Sequence, residues 1–398
     1  QPRSRGLGDV YKRQVFVLTT LAGPLKSSGK FTVGDVLVSR FGGKSLKFLA
    51  MFTTIVIGTL YLVPQIVGAG HLFNLLLGWD YMITVFVSAI IMGLMVVLGG
   101  MMGTTYNQAI QGVILLVAML LLLVMSTFMY FGGNPFGIIT QAMNTVPPTS
   151  AAGVMAQVPP TADGSPYGAL ALAEAIRNGF QNLPSALTPG VSVPDAVSQF
   201  SLVLGLLLGV AGLPHILIRF YTVKDAKDAK KGAELTIIGL AVFYIAVLFV
   251  GYAIMTTLYP VLIEMLQAGQ RGRATNMAVP LLGMHMGGEV VLGIIAAGAM
   301  AAMLSTAVGL LISMSTSLSH DMYAGVLRPE STDRERLVFA KLGAAVLTAI
   351  ALVASIWLKD QNVAVLVAMC FGIAASTFAP VLILSMWWKG LTLSLIHI

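Results

Sequence analysis

The stretch 200–218, FSLVLGLLLGVAGLPHILI, is an apolar run of membrane-span length interrupted by Gly209, Gly212 and Pro214, and it ends in the basic segment RFYTVK at 219–224. Proline has no backbone donor and its ring clashes with the carbonyl one turn earlier, so carbonyls are freed near Val210 and Ala211. Hydrocarbon tolerates freed backbone groups only where they face protein or line a water-filled cavity. The pattern therefore predicts a discontinuous helix with a binding site halfway across a bilayer.

The rest of the chain reads the same way. Of its 398 residues 57% are hydrophobic and only 10% charged, against about 25% charged in an ordinary soluble domain. A soluble fold of this length could not enclose so much apolar surface. The net charge of +7 raises nucleic acid as a partner, but no basic patch with interleaved aromatics occurs and the charges gather between apolar segments. They are topology signals, and the lipid bilayer is the partner they imply. The single cysteine, Cys370, lies inside an apolar segment and excludes an internal disulfide framework.

Spans of about 20 apolar residues are expected at 46–77, 82–98, 109–131, 200–218, 235–258, 290–314, 337–358 and 363–388, with 15–22 as the end of a further helix. Two connections are long: 143–197, rich in Pro, Ser, Thr and Gly, and 260–288, which carries Arg271 and Arg273. Fifteen Lys and Arg residues fall in the loops of one side and four in those of the other. By the positive-inside rule the richer side is cytoplasmic and 143–197 external. The ends read differently. Residues 1–14 (QPRSRGLGDVYKRQ) and the terminal Leu395-Ile396-His397-Ile398 resemble translated adapter sequence, so the expected organisation is a non-native 1–14, a transmembrane core over 15–392 and a non-native tail over 393–398.

Within 290–314, spacings of three and four put Ala302 on one helix face with Ser305 and Thr306. A carbonyl and two hydroxyls can then converge, and hard cations take oxygen ligands. The same hydroxyls could equally bond back to the preceding turn or to a neighbouring helix. In the broken segment, Gly205, Gly209 and Gly212 recur at a spacing that permits close helix packing. A half-helix amino terminus beside them would attract a carboxylate through unpaired amides and its positive dipole end, which makes Gly209, Gly212 and Pro214 candidate substrate-site backbone. His215 is either a hydrogen-bonded structural residue or an intramembrane gating or coupling group. Arg219 stands at a cytoplasmic helix end, where its charge complements the dipole, with anion attraction as the alternative.

No CxxC pair, HExxH, phosphate-binding glycine loop ending in Gly-Lys-Ser/Thr, or GxSxG elbow occurs. The chain reads as no enzyme and needs no cofactor. Coupling to an ion gradient is the remaining source of work.

Three separated stretches carry a family likeness: Gly99-Gly100-Met101-Met102-Gly103-Thr104-Thr105-Tyr106 with Gln108 and Gln111; Gly212-Leu213-Pro214-His215-Ile216-Leu217 with Arg219 and Phe220; and Ser319-His320-Asp321-Met322-Tyr323. Together and in this order they resemble the sodium:solute symporter family, and within it the cation/acetate symporters. The resemblance implies an all-α membrane fold of the leucine-transporter type, built from two inverted repeats of five helices. The eight expected spans would be core helices three to ten, 15–22 the end of core helix two, and the chain an internal fragment lacking core helix one. It implies sodium as the coupling ion, held by the Ala302 carbonyl and the Ser305 and Thr306 hydroxyls. A small organic anion, acetate or another short monocarboxylate, would be the substrate. Tyr61, Gln65 and the turn Gly68-Ala69-Gly70 resemble the cavity-lining face of core helix three, although Gln65 could only cross-link helices. Many relatives carry an acidic residue where Gln108 stands, and this departure speaks against an ion-exit role there. Proline, pantothenate or a sugar stays open as substrate, as does the symporter-like membrane domain of a sensor kinase.

Overall fold

The computed structural model describes residues 21–28, 31–144, 193–258, 261–262, 264–265 and 268–392. In chain order its helices are α1 Val33–Phe41, α2 Lys44–Leu77, α3 Tyr81–Tyr130, α4 Pro135–Asn144, α5 Val193–Gly212, α6 Pro214–Thr222, α7 Ala226–Thr257, α8 Arg271–Asn276, α9 Ala278–Ser317, the π-helical Leu318–Leu327, α10 Asp333–Trp357, α11 Val363–Ser376 and α12 Phe378–Trp387. No strand occurs among the described residues. The expected ends, 1–14 and 393–398, most of the external connection, and 15–20 lie outside them.

Several helix ends follow from local sequence. Thr332 and Glu335 form a reciprocal capping box at the start of α10, and Asn362 accepts the Ala364 and Val365 amides at the start of α11. Gly78 closes α2 in the left-handed conformation, φ 68°.

Among the described residues, eight helical segments are long and apolar enough to cross a membrane: Lys44–Leu77, Tyr81–Gly99, Gly103–Tyr130, Phe200–Thr222, Ala226–Ile254, Ala278–Leu327, Asp333–Trp357 and Val363–Trp387. They match the eight expected spans. Large apolar side chains face outward, with Leu98 80%, Phe128 70% and Trp357 82% exposed, as a lipid-facing surface requires. This is a multi-pass membrane protein.

The chain divides into two compact units. The first comprises the described parts of Gln1–Val113, Ser201–Ala241 and Met300–Ile398, the second those of Ile114–Phe200 and Val242–Ala299. In the first, one apolar core gathers Ile57, Ala211, Leu213, Leu217, Ala374 and Leu382, and another gathers Leu62, Ile66, Met92, Leu311 and Leu347. The second unit closes around Leu122, Ile138, Val250, Leu282 and Ile295.

Three boundaries differ from the sequence reading. The expected connection between 82–98 and 109–131 is helical, and α3 runs through Gly99 and Gly103 without a positive φ at either. Glycine permits a turn there, but nothing in that stretch removes a backbone donor, so the helix continues. The connection 260–288 contains α8 and is helical again from Ala278, and α9 is interrupted at Gly287 (φ −150°, ψ 25°) and Gly288 (φ 61°, ψ −152°). The apolar run 363–388 is two helices, parted at Thr377 (φ −110°, ψ −84°).

Candidate functional site

The predicted break in 200–218 is present. α5 ends at Gly212, Leu213 is extended at φ −82° and ψ 112°, and Pro214 occupies the first position of α6. There its missing N–H costs nothing and its fixed φ suits the helix. The Ile216 and Leu217 amides both bond the Leu213 carbonyl, at 3.1 and 3.2 Å.

The glycines of this segment face another helix rather than an open site. A methyl group on Gly209 would lie 2.5 Å from the Phe371 carbonyl oxygen, and one on Gly212 would run into the Ala374 carbonyl and stand 3.0 Å from the Ala379 nitrogen. Gly205 is looser, with Gly372 Cα 3.7 Å from its added carbon. The broken pair α5–α6 is thus packed, break against break, on the broken pair α11–α12. Close helix approach, the other reading of their spacing, accounts for Gly209 and Gly212. Pro214 instead borders a small cavity of about 10 Å³ with Thr32, Thr54, Ser313, Ser317 and Tyr221, room for about one water.

The oxygens of the candidate cation face do converge. The Ser305 hydroxyl and the Thr306 hydroxyl each donate to the Ala302 carbonyl at 2.9 Å. Both alternatives of the sequence reading thus share one geometry: the hydroxyls bond back within the helix, and in doing so they collect three oxygens at one point. Ser305 and Thr306 line a cavity of about 520 Å³ together with Gln108, His215, Arg219 and Gly309. The structure therefore joins the candidate ion residues with His215 and Arg219.

Sequence reasoning missed what holds this cavity's wall. Arg219 donates from Nη1 to the Thr105 hydroxyl at 2.7 Å and from Nη2 to Gln108 Oε1 at 2.6 Å, while Gln108 Nε2 donates to the Ser305 carbonyl. A chain of hydrogen bonds thus runs from the guanidinium to the backbone of the candidate ion helix. His215 stands edge-on to Tyr61, ring centroids 5.5 Å apart, and its buried Nδ1 has no hydrogen-bond partner among the described residues. Tyr61 also packs edge-on against Phe371 at 5.6 Å. Gln65 is buried and its amide donates to the Tyr61 carbonyl of its own preceding turn, at 3.4 Å. Of the five candidate substrate residues, Tyr61 contacts a cavity-lining residue, whereas Gln65, Gly209, Gly212 and Pro214 do not line the large cavity.

The sequence profile of the sodium:solute symporter family matches residues 11–394. The chain belongs to this family. It is 33% identical over 374 residues to the uncharacterized symporter YwcA of Bacillus subtilis (strain 168), an alignment covering 94% of this chain and 65% of that protein. The chain thus spans about 65% of the length of that relative. Its fold is similar to that of a Na+-coupled sialic acid symporter in a substrate-bound outward-open state, with TM-score 0.61 at 15% identity over 96% of this chain and 72% of the other. The architecture is the all-helical, leucine-transporter type of the family.

Proposed function

We propose that the protein is a secondary symporter that couples inward sodium movement to uptake of a small organic anion, acetate or another short monocarboxylate. The observation that carries this reading is that Ser305 and Thr306, which converge on the Ala302 carbonyl, line the same cavity as Arg219 and His215. A hard cation would take the Ala302 carbonyl from the two hydroxyl protons, which rotate away and leave their oxygen lone pairs as ligands. Arg219 supports the anion. Its hydrogen bonds go to the neutral Thr105 and Gln108, and a partly buried guanidinium is costly unless an opposite charge faces it. A carboxylate in the cavity would offset that cost. Each sodium moved inward through about 100 mV supplies roughly 2.3 kcal/mol and each carboxylate moved with it opposes that by the same amount, so a one-to-one cycle is driven by the sodium concentration gradient and only sodium in excess of the carboxylate draws on the potential. Access would alternate by rocking of one helix group against the other.

The test is uptake of labelled acetate into cells expressing the gene, with and without a sodium gradient and with competing propionate, pyruvate and proline. Sodium-dependent uptake inhibited by propionate and pyruvate is expected. Sodium-independent uptake, or displacement of acetate by proline, would overturn the reading.

A further inference from the structure

The stretch Ser319-His320-Asp321-Met322-Tyr323 has no part in the cavity just described. It lies in the π-helical segment that continues α9, and the segment closes with the Arg328 amide on the Tyr323 carbonyl at 2.7 Å. π-Helical turns are rare and concentrate at functional places. Asp321 is fully buried. One of its oxygens accepts the Thr32 hydroxyl at 2.8 Å and the other the Ser317 hydroxyl at 2.5 Å.

Its counter-charge is shared. Lys47 Nζ is 2.9 Å from Asp35 Oδ1 and 3.6 Å from Asp321 Oδ1, so one ammonium serves two carboxylates, and His320 Nε2 lies 2.8 Å from the second oxygen of Asp35. Asp35, His320 and Asp321 together have the makings of a metal site, but Lys47 already fills the place between the carboxylates. Burial alone would raise the Asp35 carboxyl; the hydrogen bonds and charges of His320 and Lys47 outweigh it and hold the group well below the usual carboxylate range.

Thr32 ties this cluster to α1. Its hydroxyl accepts the Asp35 amide at 3.0 Å as the helix cap while donating to Asp321. There is little slack: a methyl group on Gly34 would stand 3.2 Å from the Asp321 carboxylate, and one on Gly325 3.2 Å from Lys47 Nζ. At its other end α1 is held by Arg40, which donates to the Ser385 and Trp388 carbonyls at the end of α12. Among the residues of α1 itself, only Val33, Gly34, Val36 and Leu37 are buried, so polar contacts contribute much of what places this helix.

We propose that Asp321 and Lys47 are positioning residues for transport: with Thr32 and Asp35 they form a latch that fixes α1 to the end of the helix bearing Ser305 and Thr306, and the latch opens and recloses in each cycle. The inference rests on the symporter reading above. A permanent joint would gain as much or more from apolar side chains, because burying an ion pair loses much of its attraction to desolvation. A reversible joint needs groups that water can receive. Lys47 and Asp35 are already at the wet edge, with side chains 16% and 15% exposed, while Asp321 becomes hydrated only on opening.

The test uses a Cys370→Ala background, with Ala233→Cys on the wall of the large cavity as a reporter for a maleimide applied from the cytoplasmic side. Lys47→Met alone strands the buried carboxylate and should lower uptake turnover at least tenfold; Lys47→Arg should retain most of it. The double variant Lys47→Met/Asp321→Asn removes both charges. Its membrane abundance should return to the parental level while turnover stays at least tenfold down with sodium half-saturation unchanged, and reporter labelling should rise at least threefold. A merely structural pair would give parental turnover in the double variant, which overturns the latch. Parental labelling overturns it too, and because labelling needs no transported solute, that result is separate from any failure of the acetate reading.

Discussion

Gly209→Ala offers a direct measure of how tightly the two broken helix pairs are seated. The added carbon would lie 2.5 Å from the Phe371 carbonyl oxygen and 2.8 Å from Phe371 Cβ. An ordinary contact needs roughly 3.4 Å or more, so α5 and α11 must part locally by about 1 Å. Both obstacles belong to or sit beside the backbone and cannot swing aside as the tip of a long side chain can. Overpacking of this kind costs about 1–3 kcal/mol, which for a chain of 398 residues corresponds to a fall in thermal midpoint of about 1–4 °C. Gly205→Ala is the internal control, since the nearest atom to its added carbon is 3.7 Å away, and it should shift the midpoint by less than about 1 °C. The assay is thermal unfolding of the purified protein in detergent, followed by size-exclusion recovery, with uptake measured in parallel. A Gly209→Ala protein as stable as the Gly205→Ala protein would refute the packing argument. If it were fully stable yet dead in uptake, the glycine would serve the substrate after all.

Other outcomes follow from the same geometry. Ser305→Ala and Thr306→Ala should each raise the sodium concentration for half-maximal uptake several-fold at normal membrane abundance, because each removes an oxygen from the set around the Ala302 carbonyl; unchanged sodium dependence in both would place the ion elsewhere. Gly288→Ala forces a side chain into φ 61°, ψ −152°, a region kept almost wholly for glycine, and should destabilise by about 1–3 kcal/mol in the same unfolding assay. The depressed Asp35 carboxyl gives a stability contribution that is fully present above its unfolded value of about 3.9 and is lost as pH falls through the folded value. Asp35→Asn should therefore cost most stability near pH 7, and the gap between variant and parent should narrow below about pH 4; a gap independent of pH would rule out the charge as its source.

What could be read from the sequence was what acts within one or two turns. Pro214 announces its own break because a missing donor and a fixed φ are properties of that residue alone. The convergence of Ala302, Ser305 and Thr306 follows from helical spacing and needs no knowledge of neighbours. The break at Thr377 was hidden in an unbroken apolar run, and its one local signal, Pro380, sits in the first turn of α12, where a proline is compatible with helix and marks the start only indirectly. The gap between 82–98 and 109–131 followed from a lapse in apolar residues, and such a lapse does not by itself end a helix. The role of Gly209 and Gly212 depended on which helix came to face them, more than 160 residues later, and no spacing rule carries that. The same holds for Arg219, whose partners Thr105 and Gln108 lie 114 and 111 residues away.

The wall formed by Arg219, Gln108 and Ser305 has a direction. A guanidinium can only give protons and a peptide carbonyl can only receive them, so the group between them must receive on one side and give on the other. Glutamine does this with its two unlike ends, Oε1 turned to Arg219 and Nε2 to the Ser305 carbonyl. A glutamate of the same length would satisfy the guanidinium and turn a bare oxygen, negative against negative, on the carbonyl. The two would push apart, and the peptide of Ser305, one residue from Thr306, would lose its tether. Charge at this position and firmness of the helix behind it are therefore a single choice, and in this chain the amide settles it in favour of firmness.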